Sequence, residues 1–283
     1  MGRRVRPAAA TAASALVLLA ACAGSDAAEI AETVETVEDY PDRITREIRR
    51  LAAAPRPVEN SAMPPRHLDT ASFPVSLVDR EAIVSGGPPP DGITPIDEPR
   101  FESVDDVDWL GPDEAVLALV DDDGRARAYP VRILIWHEIV NDEFGGVPVS
   151  VTYCPLCSSG VAFDRRVGDE VLDFGTSGAL YQANLVMYDR QTESLWTQFD
   201  GRAVVGDRVG DQLTLLPVAT VTWSDFADLH PDGEVLSQRT GFDRPYGTNP
   251  YTSYESRDEP VAGVFQGDAD ATLPAYERVV GVD

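Results

Sequence analysis

The chain has 283 residues, and its 48 acidic and 23 basic residues give a net charge of −25. Every basic residue is an arginine, because the sequence contains no lysine. So acidic a chain is repelled by nucleic acids and by anionic lipid surfaces, which excludes nucleic-acid binding from the expected functions. A GC-rich coding bias or adaptation to salt explains the same composition, and we prefer that explanation to a functional one.

The N-terminus has the pattern of an export signal. MGRRVRP is basic, and AAATAASALVLLA is an apolar run too short to span a bilayer as a stable helix, which is typical of a secretory signal over residues 1–21. The letters LAAC, ending at Cys22, resemble the lipobox of bacterial lipoproteins, in which the cysteine is lipidated and becomes the new N-terminus. We therefore predict an exported protein anchored at the outer face of the cell membrane through lipid on Cys22. Ordinary secretion with a chance cysteine is the alternative.

A tether and one domain are predicted to follow. Residues 22–72 are acidic and then proline-rich, with one helical pattern, DRITREIRRLAAA, whose Ile44, Ile48 and Leu51 share a face. Residues 73–283 are long enough for a single globular domain with a substantial core. No repeat of solenoid or propeller period is present.

The first part of this domain gives several local predictions. Residues 86–101 are too rich in proline and glycine for a helix or a central strand, which predicts a surface loop that wraps the entrance of the domain. AVLALV and ARAYPV predict a hairpin around Asp123 and Gly124. GGVPVSVTY alternates in the manner of a half-buried strand. RILIWHEIVNDEF favours a short helix, from the spacing of Ile133, Trp136, Ile139 and Val140.

Short strands dominate the rest. They are predicted in GVAFDRR, EVLDFG, ANLVMYDR, SLWTQF and RAVVG, and a second helix is predicted in WSDFADLHP, with Ser224 as its N-cap. Trp196 and Phe199 are predicted core residues, and Arg165 and Arg166 are predicted to form ion pairs at a turn edge. The fold class is therefore α+β, a β-rich single domain with an antiparallel or mixed, barrel-like sheet and two or three short helices.

Cys154 and Cys157 form the one feature that could carry chemistry. If Cys22 is lipidated, they are the only pair of thiols, and outside the cytoplasm such a pair tends to oxidise. A structural disulfide across so short a loop stabilises by only about 2 kcal/mol. A redox centre needs a thiol of lowered pKa, for which Arg165, Arg166 and His137 are the nearby cations in sequence. A metal site would need more ligands: His137 as the third, and Met187 or a carboxylate as the fourth, which suits copper better than structural zinc.

The WHEIVND segment decides how His137 is interpreted. A lone histidine beside a tryptophan is more often a core residue with a satisfied hydrogen bond. On a helix, however, His137 and Asn141 would share one face and Glu138 and Asp142 a neighbouring one, just before the strand that leads to the cysteines. A histidine and a cysteine brought together in this way could form an activated thiolate pair.

Long motifs identify a family. AYPVRILIWHEIVND, VTYCPLCSSGVAFDRR, FGTSGALYQANLVMYDRQTESLWTQ and YGTNPY closely resemble, in the same order, domain of unknown function family 3179 of bacteria and archaea. The resemblance spans residues 73–282 and implies that His137, Cys154 and Cys157 belong to the family signature. Some members are named as candidate selenoproteins, and selenium suits a reactive or metal-binding sulfur position better than a structural disulfide.

Three hypotheses follow, in this order. The first is thiol–disulfide redox chemistry with an unknown redox partner, in which Cys154 is the more exposed, attacking sulfur, Cys157 resolves, and His137 tunes or shuttles the proton. The second is a protein that receives copper or zinc from a metal donor and binds the ion through His137, Cys154 and Cys157. The third is an interaction module in which the pair is a structural disulfide.

Overall fold

The computed structural model describes residues 75–251, 264–267 and 272–273. The predicted signal at 1–21, the lipidation of Cys22 and the tether over 22–72 lie outside these ranges. Within them the chain forms two α-helices and sixteen strands, with 3-10 turns at Arg80–Ala82 and Val104–Asp106. The helices are α1 (Val131–His137) and α2 (Trp223–Leu229).

The strands are short and close in sequence. They are β1 (Ile83–Ser85), β2 (Phe101–Ser103), β3 (Ala115–Val120), β4 (Ala126–Pro130), β5 (Ile139–Phe144), β6 (Val147–Cys154), β7 (Ser159–Asp164), β8 (Arg166–Val167), β9 (Glu170–Val171), β10 (Phe174–Tyr181), β11 (Asn184–Asp189), β12 (Leu195–Thr197), β13 (Ala203–Val205), β14 (Thr214–Leu216), β15 (Val218–Thr222) and β16 (Glu234–Leu236).

Three sheets and a two-stranded ribbon organise these strands. One sheet has the order β1-β10-β11-β12-β13, a second β14-β7-β6-β5 and a third β15-β3-β4-β16-β2, while β8 pairs with β9. All pairings are antiparallel except that of β16 with β4. The predicted β-rich α+β fold is therefore confirmed, with a curled antiparallel half-barrel beside a mixed sheet.

Local predictions are confirmed where turn chemistry is strong. The β3–β4 hairpin forms as predicted, and Gly124 takes φ +80° in its turn, a conformation that costs glycine little. The helix in WSDFADLHP also forms, but its N-cap is Thr222 and not Ser224, since the Thr222 hydroxyl accepts from the Asp225 N–H.

The predicted helix over RILIWHEIVNDEF is only half correct. Helix α1 ends at His137, and the residues from Ile139 to Phe144 form β5, which pairs with β6. His137 and Asn141 therefore do not share a helical face. The apolar spacing of this segment fits both the period of a helix and that of a strand, and pairing with β6 makes its second half a strand.

Burial corrects two further expectations. Strand β6 is buried on both faces from Val149 onward, because sheet neighbours and α1 cover it, so it is not half-buried. Trp196 lies fully buried as predicted, whereas the side chain of Phe199 is 71% exposed, so the prediction of a core position was wrong.

The proline- and glycine-rich loop is irregular, as predicted, but it is anchored in the domain. Ile96 is buried, its N–H donates to the Ile139 carbonyl, and its own carbonyl accepts from the Asn141 N–H. Its earlier part rests on β10, where the Gly86 N–H donates to the Gly178 carbonyl. Gly178 stands at the irregularity in the β10–β11 register and has φ +74°.

A substitution at Gly178 tests this contact. A Cβ there would lie 1.9 Å from the Pro88 carbonyl oxygen. We expect Gly178→Ala to lower the free energy of unfolding by about 3 kcal/mol, because the left-handed conformation and the clash act together. Gly168→Ala, at φ +61° with nothing within 4 Å of its Cβ, isolates the conformational part, about 1 kcal/mol. Equal losses in chemical denaturation would contradict the close contact.

Candidate functional site

The two cysteines occupy a hairpin turn. Strand β6 ends at Cys154, β7 begins at Ser159, and these two residues face each other in the ladder. The intervening residues form the turn, with Ser158 at φ 48°. Both thiols are free, and their mutual interaction raises the pKa of Cys154 and lowers the pKa of Cys157. The turn thus brings the two sulfurs together.

Exposure reverses the expected roles of the two sulfurs. Cys154 is 1% exposed and lies in a core cluster with Met187 and Trp196, whereas Cys157 is exposed. The hypothesis that Cys154 is the more exposed sulfur was wrong. The last residue of a central strand faces inward here, and the turn carries the second cysteine outward.

The pKa values of the two thiols differ in the way that their exposure suggests: the exposed thiol is the more acidic one. The pKa of Cys157 is lowered to about 6, first by the hydrogen bond from the Cys154 thiol and then by contacts with the Ser159 hydroxyl and the Asn184 amide, at 3.1 and 3.2 Å. The pKa of Cys154 is raised, because its proton is held by Cys157 and because the sulfur is buried. At neutral pH the exposed sulfur is therefore a thiolate beside a protonated buried thiol.

A buried amide network holds the donors in place. The Asn184 amide donates to the Gln198 Oε1 at 2.7 Å as well as to the Cys157 sulfur. Gln198 is itself fully buried, and its Nε2 donates to the Thr152 hydroxyl and to the Ser159 carbonyl, at 3.0 and 3.3 Å. This network fixes the Asn184 side chain toward the sulfur.

Glu138 is the acid beside the thiols. It is 6% exposed, and the Tyr251 hydroxyl donates to its Oε1 at 3.3 Å. Burial raises the pKa of Glu138 to about 7, and the negative charge of Cys157 acts in the same direction. The Glu138 charge also raises the pKa of Cys154. The carboxyl group and both sulfurs therefore form one electrostatically coupled group.

His137 has other partners. Its Nδ1 lies 2.7 Å from the Thr94 carbonyl oxygen, to which it donates, and its Nε2 accepts from the Tyr246 hydroxyl at 2.7 Å. Thr240 contacts the same hydroxyl at 2.6 Å. Burial lowers the pKa of His137, in keeping with a neutral ring. Nδ1 thus fastens α1 to the loop that contains Thr94, and Nε2 fastens it to the loop of residues 240–246, so a metal site using His137 would have to break one of these contacts.

The arginines expected near the thiols lie elsewhere. The Arg165 guanidinium reaches Asp173 at 2.5 Å, and Arg166 pairs with Asp164. The predicted ion pairs at a turn edge are present, but neither arginine contributes to the thiolate. The groups that lower the pKa of Cys157 are therefore neutral hydrogen-bond donors and not cations.

Backbone strain concentrates around the thiols. Six non-glycine residues of the described ranges have positive φ, among them Glu138, Ser158, Gln182 and Ala183. Ser158 follows Cys157 directly, and the Glu138 carbonyl accepts from the N–H of Tyr153, the neighbour of Cys154. Gln182 and Ala183 form the two-residue turn between β10 and β11, which requires φ > 0 at both positions and favours Asn-Gly. The Ala183 carbonyl faces the Cys154 sulfur at 3.9 Å. Such strain persists where surrounding structure enforces it, commonly at functional sites.

Sequence reasoning missed most of the cysteine neighbours. Ser159, Asn184, Gln198 and Tyr251 were not singled out, and Glu138 was noted only as a member of a polar patch. No local pattern marks them, although all four lie inside the motifs quoted above. Their proximity to Cys157 depends on strand register.

The fold and site define a β-rich α+β domain that carries an exposed thiolate and a buried thiol in one hairpin turn. Residues 90–283 match the family described as protein of unknown function (DUF3179), and the chain belongs to this family. No curated protein and no solved structure matches the chain.

Two negative findings concern the described residues alone. They contain no cluster of three or more histidine, cysteine or acidic side chains arranged to hold a metal ion. Neither of their helices is long and apolar enough to cross a membrane.

The low pKa of Cys157 is testable through its main donor. We expect Cys154→Ala to move the pH midpoint of iodoacetamide alkylation at Cys157 upward from about 6, toward that of an ordinary thiol. Ser159→Ala removes a weaker contact and is expected to shift the midpoint less. A midpoint unchanged in Cys154→Ala would show that the thiol pair is not in contact.

The buried carboxyl group makes stability depend on pH. The folded-state pKa of Glu138, about 7, exceeds its ordinary value of 4.5, so this contribution to stability is complete below pH 4.5 and is lost as pH rises through 7. We expect Glu138→Gln to raise the free energy of unfolding at pH 8 by about 3 kcal/mol and to change it little near pH 4.5. Glu143→Gln, at an exposed position of β5, is the control. A gain independent of pH would contradict the assignment.

Proposed function

We propose that the domain is a thiol–disulfide oxidoreductase in which Cys157 attacks and Cys154 resolves. The observation that carries the proposal is the pairing of an exposed sulfur, whose pKa is about 6, with a buried protonated thiol in the same turn. A thiolate is the nucleophile in disulfide exchange, and the best attacking thiols have a pKa near the ambient pH. The order of attack is the reverse of the one expected from the sequence.

In the first step the Cys157 thiolate attacks one sulfur of a substrate disulfide. A bond forms between Cys157 and that sulfur, the substrate disulfide bond breaks, and the departing thiolate takes the electron pair. The contacts from Ser159 and Asn184 hold the nucleophile in its ionised form before the attack. Loss of negative charge on Cys157 also lowers the cost of ionising its neighbours.

In the second step Cys154 resolves the mixed disulfide. Its proton passes to the Glu138 carboxylate, its sulfur attacks Cys157, and the second substrate thiolate leaves. The domain now holds a Cys154–Cys157 disulfide, and the substrate disulfide has been reduced by two electrons. A dithiol reductant returns the domain to its starting state, and the reverse sequence oxidises a substrate dithiol. Glu138 suits the proton transfer because its pKa of about 7 lies near the operating pH.

This scheme gives His137 a positioning role. The contacts with Thr94 and Tyr246 occupy both of its ring nitrogens, and the adjacent Glu138 is the group coupled to the sulfurs. The copper or zinc alternative loses its third ligand for the same reason. The redox proposal uses Cys154, Cys157 and Glu138, and it leaves both hydrogen bonds of His137 intact.

The proposal includes a location. Export and lipidation at Cys22 would hold the domain at the outer face of the cell membrane, where disulfides form and persist. The partners would then be an envelope protein that carries a disulfide and a dithiol reductant on the same side of the membrane. The membrane contact itself would be made by the lipid.

A chromophoric disulfide, 5,5′-dithiobis(2-nitrobenzoate), tests the scheme on full-length chains that carry Cys22→Ser. We expect the dithiol protein to release two nitrothiobenzoate ions and retain no adduct, since Cys154 displaces the second. Cys154→Ala is expected to release one and retain the adduct by mass, and Cys157→Ala to react far more slowly at pH 7. Glu138→Gln should slow the second release by about a hundredfold and leave the first unchanged.

Two results would overturn the proposal. Fast reaction of Cys157→Ala would make Cys154 the attacking sulfur. A stable adduct on the dithiol protein would mean that Cys154 cannot reach the mixed disulfide. Glu143→Gln controls for loss of charge and is expected to behave as the parent chain does.

A further inference from the structure

A cavity of about 240 Å³ lies beside α1, and neither cysteine lines it. Its walls are largely apolar and include Ile93, Ile135, Trp136, Pro250 and Tyr251, and Arg244 is the only charged residue among the described residues that line it. The volume suits one small organic molecule and not a macromolecule. The cavity therefore has the size of a site for a small ligand.

The chain fixes the two aromatic walls. The Trp136 indole N–H donates to the Thr248 carbonyl at 3.1 Å, and the Tyr251 hydroxyl is held by Glu138 at 3.3 Å. Ile135 enters from the buried face of α1, and Ile93 lies in the loop that is anchored through Ile96. A preformed apolar cleft of this kind binds at low cost in conformational entropy.

Arg244 differs from the other arginines that are shielded from solvent. Arg127, Arg132 and Arg165 each form an ion pair with a carboxylate. Arg244 is half-buried, and no acidic side chain among the described residues pairs with it. In a chain with a net charge of −25, a guanidinium without an acidic partner is unusual. Burial lowers the pKa of His137 and the Arg244 charge adds to this, and the same charge opposes the rise that burial causes in the pKa of Tyr246.

We infer that this cavity binds a small organic carboxylate, with its apolar part between Trp136 and Tyr251 and its carboxylate on the Arg244 guanidinium. The guanidinium fork matches a carboxylate with two parallel hydrogen bonds, and a partly desolvated site strengthens them. The apolar walls select against small inorganic anions, which have no surface to bury there. This inference does not rest on the proposed thiol chemistry.

Phenylacetate and its neutral analogue phenylacetamide are matched probes. We expect the Trp136 indole signal in ¹H–¹⁵N spectra, assigned with Trp136→Phe, to titrate with phenylacetate at a Kd of about 1 mM in ~0.15 M salt. Phenylacetamide should bind about tenfold more weakly, because it lacks the charge that Arg244 recognises. No disulfide or reductant is present, so the result is independent of the thiol reaction.

Variants at Arg244 identify the recognising group. Arg244→Gln is expected to abolish the preference for the anion, and Arg244→Lys to retain part of it, with unchanged melting temperatures as the check on folding. Arg100→Gln removes a charge from an exposed side chain outside the cavity and should leave both affinities unchanged. Equal binding of the two probes, an anion preference that survives in Arg244→Gln, or no titration at about 10 mM would each overturn the inference.

Discussion

The left-handed backbone conformation of Glu138 is the constraint on which the site depends. Helix α1 ends and β5 begins without a connecting loop, and the chain makes this change of direction at one non-glycine residue with φ 59°. The Glu138 N–H still donates to the Leu134 carbonyl, and its own carbonyl accepts from the Tyr153 N–H. These backbone bonds enforce the strain and direct the carboxyl group toward the cysteines.

The Cys157 thiolate is stabilised by contact with neutral dipoles. A cation would be the usual means of lowering a thiol pKa, but Arg165 and Arg166 are engaged with carboxylates. A thiol, a hydroxyl and an amide at hydrogen-bonding distance achieve the same result. Because these interactions act at contact, dissolved salt screens them far less than it screens separated charges. The lowered pKa of Cys157 is therefore compatible with an acidic protein and with high salt.

Sequence patterns predicted those parts of the fold that depend on neighbouring residues. The Asp123–Gly124 hairpin and the run of short strands both follow from local turn chemistry and alternation. That Glu138 and not His137 adjoins the thiols could not be predicted. It depends on the residue at which α1 ends and β5 begins, and the apolar spacing fits a helix and a strand equally well. Asn184 reaches Cys157 because β11 of one sheet lies beside the β6–β7 turn of another, and no local sequence pattern encodes this packing.

Three consecutive side chains meet three separate surroundings at the end of α1. Trp136 lines the cavity, His137 fastens the loop of residues 240–246, and Glu138 adjoins the thiols. Each task depends on the rotation of its residue about the helix axis and on its distance from the strained junction. Insertion or deletion of a single residue here would rotate the side chains by about 100° and exchange their surroundings. The length of this segment is thus as tightly specified as its composition.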